Sequence, residues 1–267
     1  HQYRDPRYEG MAELMHSLMS EEEIYGHTGI KTNFYNSSLH LLAEAEKQSP
    51  ALFEADRLLF VPDLLAYWLT GKMAVERTIA STSQLLNPHT RGWAREVIEA
   101  LGLPLKLFGE IVSPGTVLGL LRKEVAELIG KSGVPGERAA SGDRPITEED
   151  IPMVGEGNLW LSSGTWSIMG IETRDPVTTP AALALGFCNE LGVNDSVRFL
   201  KNIAGLWLIQ ECKRQWELEG KSFDYATMAA MAEEAEPFTA FVDPDDASFA
   251  NPGGMPGKIQ AWCEQSG

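Results

Sequence analysis

Cysteine is scarce in this sequence: the three residues present in 267, Cys188, Cys212 and Cys263, lie far apart. That spacing suits neither a zinc ligand set nor the dense disulfide framework of a small secreted domain, so the expected setting is a reducing, cytoplasmic compartment. Histidine is also sparse. The five residues are scattered with no His-x-x-x-His pair, which leaves a histidine-based metal site little support. Long apolar runs are missing, because polar residues such as Asp63 and Gln210 interrupt even the richest segments. A membrane span needs about 20 consecutive apolar residues, so no membrane partner is expected. Positive charge is in deficit: 22 Lys and Arg face 38 Asp and Glu, a net charge of −16. Such a surface repels a phosphate backbone and argues against nucleic acid as a partner. Neither Gly-x-x-x-x-Gly-Lys nor Gly-x-Gly-x-x-Gly occurs, which removes the two commonest sequence-readable nucleotide loops. No secretory signal pattern is present, and the first residue is His1 where a complete gene product would show Met, so an upstream part is expected to be missing.

What the chain does have is apolar material for a core: 43% hydrophobic residues against 22% charged, with seven Trp and ten Phe. Its length allows one large domain or two modest ones. From about Met11 to Gly130, apolar residues recur three or four apart and Gly or Pro closes most segments, which predicts a mainly helical first half. Ser20-Glu21-Glu22-Glu23 is a capping box. Leu39, Leu41 and Leu42 belong to a helix running toward Pro50. Pro62 to Leu69 followed by Gly71 puts Pro at a helix start and Gly past its end. Further helices are expected over about Trp93–Leu101 and Leu120–Ile129.

Between Gly130 and Gly157, glycines and prolines punctuate a charged run, Glu148-Glu149-Asp150, and this marks the expected domain boundary, placed after residue 152. Beyond it, Asn158–Ser163 and Trp166–Ile171 read as two strands of a hairpin joined at Gly164-Thr165. A helix is expected from about Asn202 through Trp216, and another from Tyr225 to Glu234.

The turn Ser162-Ser163-Gly164-Thr165 combines glycine, which permits close backbone approach, with hydroxyls and consecutive N–H groups that can nest an anion such as phosphate. Similar turns are common in hairpins that bind nothing, and the residues alone leave both readings open. Asn202 and Gln210 stand eight apart, so on one helix they would share a side and could hydrogen-bond a polar ligand, or serve as a cap and a surface residue. Lys201 has the charge to meet a phosphate, or simply to be solvated. Asp143 is a lone acid that acts as a general base only beside a substrate hydroxyl, and is otherwise a loop residue or helix cap.

Several runs occur in a recognisable order: Tyr3-Arg4-Asp5-Pro6-Arg7, Tyr25-Gly26-His27-Thr28-Gly29-Ile30, Leu59-Phe60-Val61-Pro62-Asp63, Leu69-Thr70-Gly71-Lys72 and Ala80-Ser81-Thr82-Ser83-Gln84-Leu85-Leu86-Asn87. They are followed by Ser162–Gly170, Arg198–Ile203 and Gly205–Cys212. Across nearly the whole chain this series resembles the rhamnulokinase branch of the FGGY carbohydrate kinases. The resemblance implies an α/β, two-domain actin-like ATPase (ribonuclease H-like) fold, incomplete in this chain, with residues 1–152 on the sugar side and 153–267 on the nucleotide side. It implies ATP-dependent phosphorylation of the 1-hydroxyl of L-rhamnulose, with Mg²⁺. Thr165 matches the threonine that contacts ATP phosphates, and Asn202 and Gln210 match nucleotide-binding positions. Where the family carries His-Asp-Thr-Ala-Ser-Ala, with its aspartate as catalytic base, this chain has Gly142-Asp143-Arg144-Pro145-Ile146-Thr147. Asp143 therefore falls on the base position in altered surroundings, which keeps open a catalytically impaired binding or scaffold protein, and a kinase for a related ketose. The family's amino-terminal phosphate loop and glycine-rich adenosine segment are expected before His1 and beyond Gly267. Relatives of the Cys263 stretch can pair with a downstream cysteine, but no disulfide is expected here.

Overall fold

The computed structural model describes residues 8–130, 135–137, 158–249 and 251–266. These residues cluster into two units, which divide the chain more than once. Unit 1 takes the described residues up to Asn158 together with Ile171–Leu200, and unit 2 takes Leu159–Gly170 with those from Lys201 onward. The expected boundary after residue 152 lies outside the described residues.

Unit 1 opens with α1 (Met11–Leu18), α2 (Glu21–Thr28), α3 (Ser37–Glu46), α4 (Pro50–Phe53) and α5 (Val61–Thr70). The expected capping box is present at the start of α2: the Ser20 hydroxyl accepts from Glu23 N–H at 3.3 Å and Ser20 N–H donates to the Glu23 carboxylate at 3.1 Å. α5 follows the expected pattern of Pro62 in its first turn and Gly71, at φ 76°, beyond its end. Short elements follow: β1 (Val75–Glu76), α6 (Arg77–Ser81), β2 (Leu86–Asn87), β3 (Gly92–Trp93), α7 (Arg95–Ala100), β4 (Ile111–Val112), β5 (Val117–Leu120), α8 (Lys123–Leu128) and β6 (Pro135–Glu137). β1 pairs with β4 in parallel, and β2 with β3 antiparallel. β5 and β6 also pair antiparallel, and strand pairing shortens two expected helices: Trp93 in β3 pairs with Leu86, and Leu120 in β5 pairs with Pro135. Met15, Ile24, Leu39, Leu42, Leu85, Val97 and Ile98 form the main apolar core, each at most 1% exposed.

The remaining strands are β7 (Trp160–Ser163), β8 (Ser167–Thr173), β9 (Cys188–Leu191) and β10 (Val197–Ile203), in a sheet of order β7-β8-β10-β9; α9 (Pro180–Ala184) precedes β9. β7 and β8 form the expected antiparallel hairpin, with Ser163 opposite Ser167. β9 and β10 are also antiparallel, with Leu200 opposite Cys188.

Unit 2 continues with α10 (Trp207–Leu218), α11 (Tyr225–Glu234), a 3-10 turn (Ala247–Phe249) and α12 (Met255–Ser266). α11 has the expected limits. α10 does not: the helix expected from Asn202 begins at Trp207, and Asn202 belongs to β10. β10 keeps the chain extended through Ile203, and Gly205 N–H then turns back to Ile203 C=O at 2.7 Å. Leu208, Cys212, Phe249 and Met255 make the unit 2 core, with Trp207, Trp216, Ile259 and Trp262 packed around it.

Candidate functional site

Thr165 sits at the tip of the β7–β8 hairpin, in a three-residue loop closed by Gly164 N–H donating to Trp166 C=O at 3.0 Å. The strand below is anchored by Trp160, which is 3% exposed, while Thr165 itself is exposed. The amino-terminal end of α10 lies against this tip. Leu206 N–H donates to Gly164 C=O at 2.9 Å and Trp207 N–H to Thr165 C=O at 3.0 Å. One turn into the helix, Gln210 Nε2 donates to Thr165 Oγ1 at 3.1 Å. The structure therefore brings two of the expected site residues into direct contact within one unit.

α10 is held in place from behind. Trp207 Nε1 donates to Phe249 C=O at 3.3 Å, and the buried Glu211 carboxylate accepts from Gly253 N–H at 3.2 Å while pairing with Arg214 at 2.8 Å. Arg214 stays strongly protonated because the Glu211 carboxylate accepts its hydrogen bonds. Apolar residues of α10, α11 and the segment between them, including Ile209, Trp216, Phe223, Tyr225 and Met228, line a groove of about 920 Å³ whose wall also includes Gln210. An apolar groove edged by a few polar groups is the usual form of a small-molecule site.

Asn202 is not on the same helix as Gln210, so the expected shared helix side does not exist. Lys201, the alternative phosphate contact, lies on β10 with Nζ 3.6 Å from the Asp245 carboxylate, whose other oxygen accepts from Ala204 N–H at 2.9 Å. Asp143 lies outside the described residues. Among the described residues, no group of three or more His, Cys, Asp or Glu side chains is assembled to hold a metal ion.

Sequence reasoning missed the structural use of Gly205. A Cβ there would stand 2.7 Å from Ser167 N, 2.8 Å from Gly164 O and 2.3 Å from Ser167 Oγ, so only glycine lets the helix meet the hairpin without displacement. A glycine inside the helix expected from Asn202 was the available signal, since glycine weakens a helix interior.

The fold that carries this turn is similar to that of solved sugar kinases. A ligand-bound xylulose kinase from Lactobacillus acidophilus superposes with a TM-score of 0.76 at 16% identity, covering 89% of this chain and 48% of that one. A glycerol kinase with ADP from Plasmodium falciparum superposes at 0.68 and 16% identity, covering 88% and 49%. The class defined by these likenesses is the actin-like ATPase fold. Family models refine it: the N-terminal domain of the FGGY family of carbohydrate kinases matches residues 2–144, and its C-terminal domain matches 159–267. The chain belongs to the FGGY family of carbohydrate kinases. It is 41% identical over 265 residues to a protein named rhamnulokinase from Bacteroides thetaiotaomicron, covering 99% of this chain and 54% of the relative. It is 37% identical over 264 residues to a rhamnulokinase from Enterococcus faecalis, covering 99% and 52%. The chain thus spans about half the length of these relatives.

Proposed function

We propose that this chain contributes the nucleotide turn of an ATP-dependent kinase that phosphorylates the 1-hydroxyl of L-rhamnulose. The observation that carries the reading is the 3.1 Å contact between Gln210 and Thr165 at the edge of an apolar groove, in a chain 41% identical to a rhamnulokinase. In this reading Thr165 donates its hydroxyl proton to a phosphate oxygen, and Asn202 and Gln210 help to hold the nucleotide. A protein of net charge −16 can hold an anion only through such local donors. The groove suits the apolar part of a nucleotide.

Asp143 is the proposed general base. It takes the proton of the sugar hydroxyl as that oxygen bonds to the γ-phosphorus, the bond from the γ-phosphorus to the bridging oxygen breaks, and ADP leaves. Mg²⁺ would supply charge neutralisation on the phosphates; it usually keeps several waters and one or two carboxylates, so a dedicated cage of side chains is not needed. The same reading assigns residues 1–152 to the sugar side and 153–267 to the nucleotide side, and places the enzyme in the cytoplasm.

The test is ADP titration of this chain, together with a coupled assay on L-rhamnulose using the full-length gene. Saturable ADP binding and turnover on L-rhamnulose in preference to other ketoses support the reading. A complete protein that binds nucleotide without turning over any ketose would favour a binding module and overturn it.

A further inference from the structure

We infer that Gln210 serves the nucleotide through Thr165, as a positioning residue, and that Gly205 is the clearance that lets the two meet. The inference rests on the nucleotide reading above. A hydroxyl carries one proton and two acceptor lone pairs, and an amide NH₂ group is a donor only. With Gln210 Nε2 donating to Thr165 Oγ1 at 3.1 Å, one lone pair is occupied and the hydroxyl proton is directed away from Gln210. Thr165 is exposed, so that proton is presented outward, where an anionic oxygen can accept it. Gln210 thereby converts a hydroxyl that rotates to suit any neighbour into an oriented donor.

The orientation requires a fixed separation between the hairpin and α10. Three hydrogen bonds define it: Leu206 to Gly164, Trp207 to Thr165, and Gln210 to Thr165, at 2.9, 3.0 and 3.1 Å. All three lie close to Gly205, where a methyl group would collide with the backbone of Gly164 and Ser167 at 2.8 and 2.7 Å. Neither obstacle is the end of a flexible side chain, so any residue larger than glycine must move the turn away from the helix. The signature of this device is coupling. Gln210 matters to the ligand only while Thr165 has its hydroxyl.

A double-mutant cycle read by ADP titration of the chain tests this. Thr165→Val and Gln210→Leu are each expected to weaken binding by about tenfold, and the double variant by about tenfold, not a hundredfold, because the second change removes nothing that remains. Gln210→Glu is expected to weaken binding more than Gln210→Leu, since a carboxylate draws the Thr165 proton to itself and adds a negative charge. Gly205→Ala is expected to weaken binding with a circular dichroism spectrum like that of the parent; if that variant does not fold, the cycle still decides. Losses that multiply to about a hundredfold in the double variant would show that Gln210 touches the nucleotide independently and would overturn the inference. So would a Gln210→Leu variant that binds like the parent while Thr165→Val is weakened. A parent chain that binds no ADP would instead remove the nucleotide reading, and this inference with it.

Discussion

In unit 1 the carboxylates of Asp63 and Glu76 are 1% and 0% exposed and accept backbone N–H groups: Phe60 and Glu76 donate to Asp63, and Thr78 and Ile79 to Glu76. Asn189, also fully buried, binds Gly29 C=O and both polar groups of Val177. In unit 2 the polar side chains of Thr165 and Gln210 meet at the surface. A polar group sealed from water must be satisfied internally, and once satisfied it ties segments together. A polar pair at the surface adds little to stability and stays open to a ligand. Polar side chains therefore hold the fold where they are buried, as Glu211 also does in unit 2, and form a candidate site where they are exposed.

This contrast can be broken by substitution. The largest loss is expected for Phe249→Ala, which empties the middle of the unit 2 core, where Phe249 is 1% exposed. Truncating a buried Phe costs about 3–5 kcal/mol, readable by urea denaturation, and a loss below about 1 kcal/mol would show that this core is not close-packed. Glu76→Ala should cost about 3 kcal/mol, because it strands buried N–H groups, and ADP affinity of the folded variant should not change. Reduced ADP affinity in that variant would blur the division of roles.

Burial, with help from the Glu190 carboxylate, pushes the Cys188 thiol up to about 12. At pH 8 Cys188 stays protonated, and the half-buried Cys263 should react with iodoacetamide at least about a hundredfold faster. The folded thiol keeps its proton up to about 12 while the unfolded one loses it near 9, so rising pH across that window destabilises unit 1. Comparable labelling of both cysteines in the folded protein would contradict the burial of Cys188. Thr165→Val, by contrast, should leave thermal stability within about 0.5 kcal/mol of the parent, the usual range for a surface substitution.

A modest effect is expected at the α2 capping box. Ser20→Ala should cost about 1 kcal/mol. Hydrogen bonds from the Ser20 hydroxyl and backbone N–H hold the Glu23 carboxyl below its usual value. Its contribution is therefore present above pH 4.5 and lost as pH falls through the lowered value, so the cost of Ser20→Ala should shrink in acid. A cost independent of pH would remove Glu23 from the cap.

Local signals were legible where one segment satisfies its own backbone. The capping box at Ser20 and Glu23, Pro62 and Gly71 around α5, and the limits of α11 all depend on contacts within a few residues. The hairpin at Gly164-Thr165 was legible for the same reason, since its partner strands are adjacent in the chain. Trp93, Leu120 and Asn202 were misread as helical because each is held extended by strand pairing, and a helical spacing of apolar residues says nothing about a partner elsewhere in the chain. Of the expected site residues, Thr165 and Gln210 come together, yet their meeting depends on Gly205, whose role is visible only as an absence of atoms between two elements.

By itself the sequence determined the family, the order of most helices, the acidic surface and the hydroxyl-bearing turn, because composition, caps and short-range turns act locally. Tertiary structure alone decided where β10 gives way to α10 and which side chain meets Thr165. Both depend on hydrogen bonds closed over long loops and on the space left by a missing side chain, and no local pattern encodes the distance between two elements.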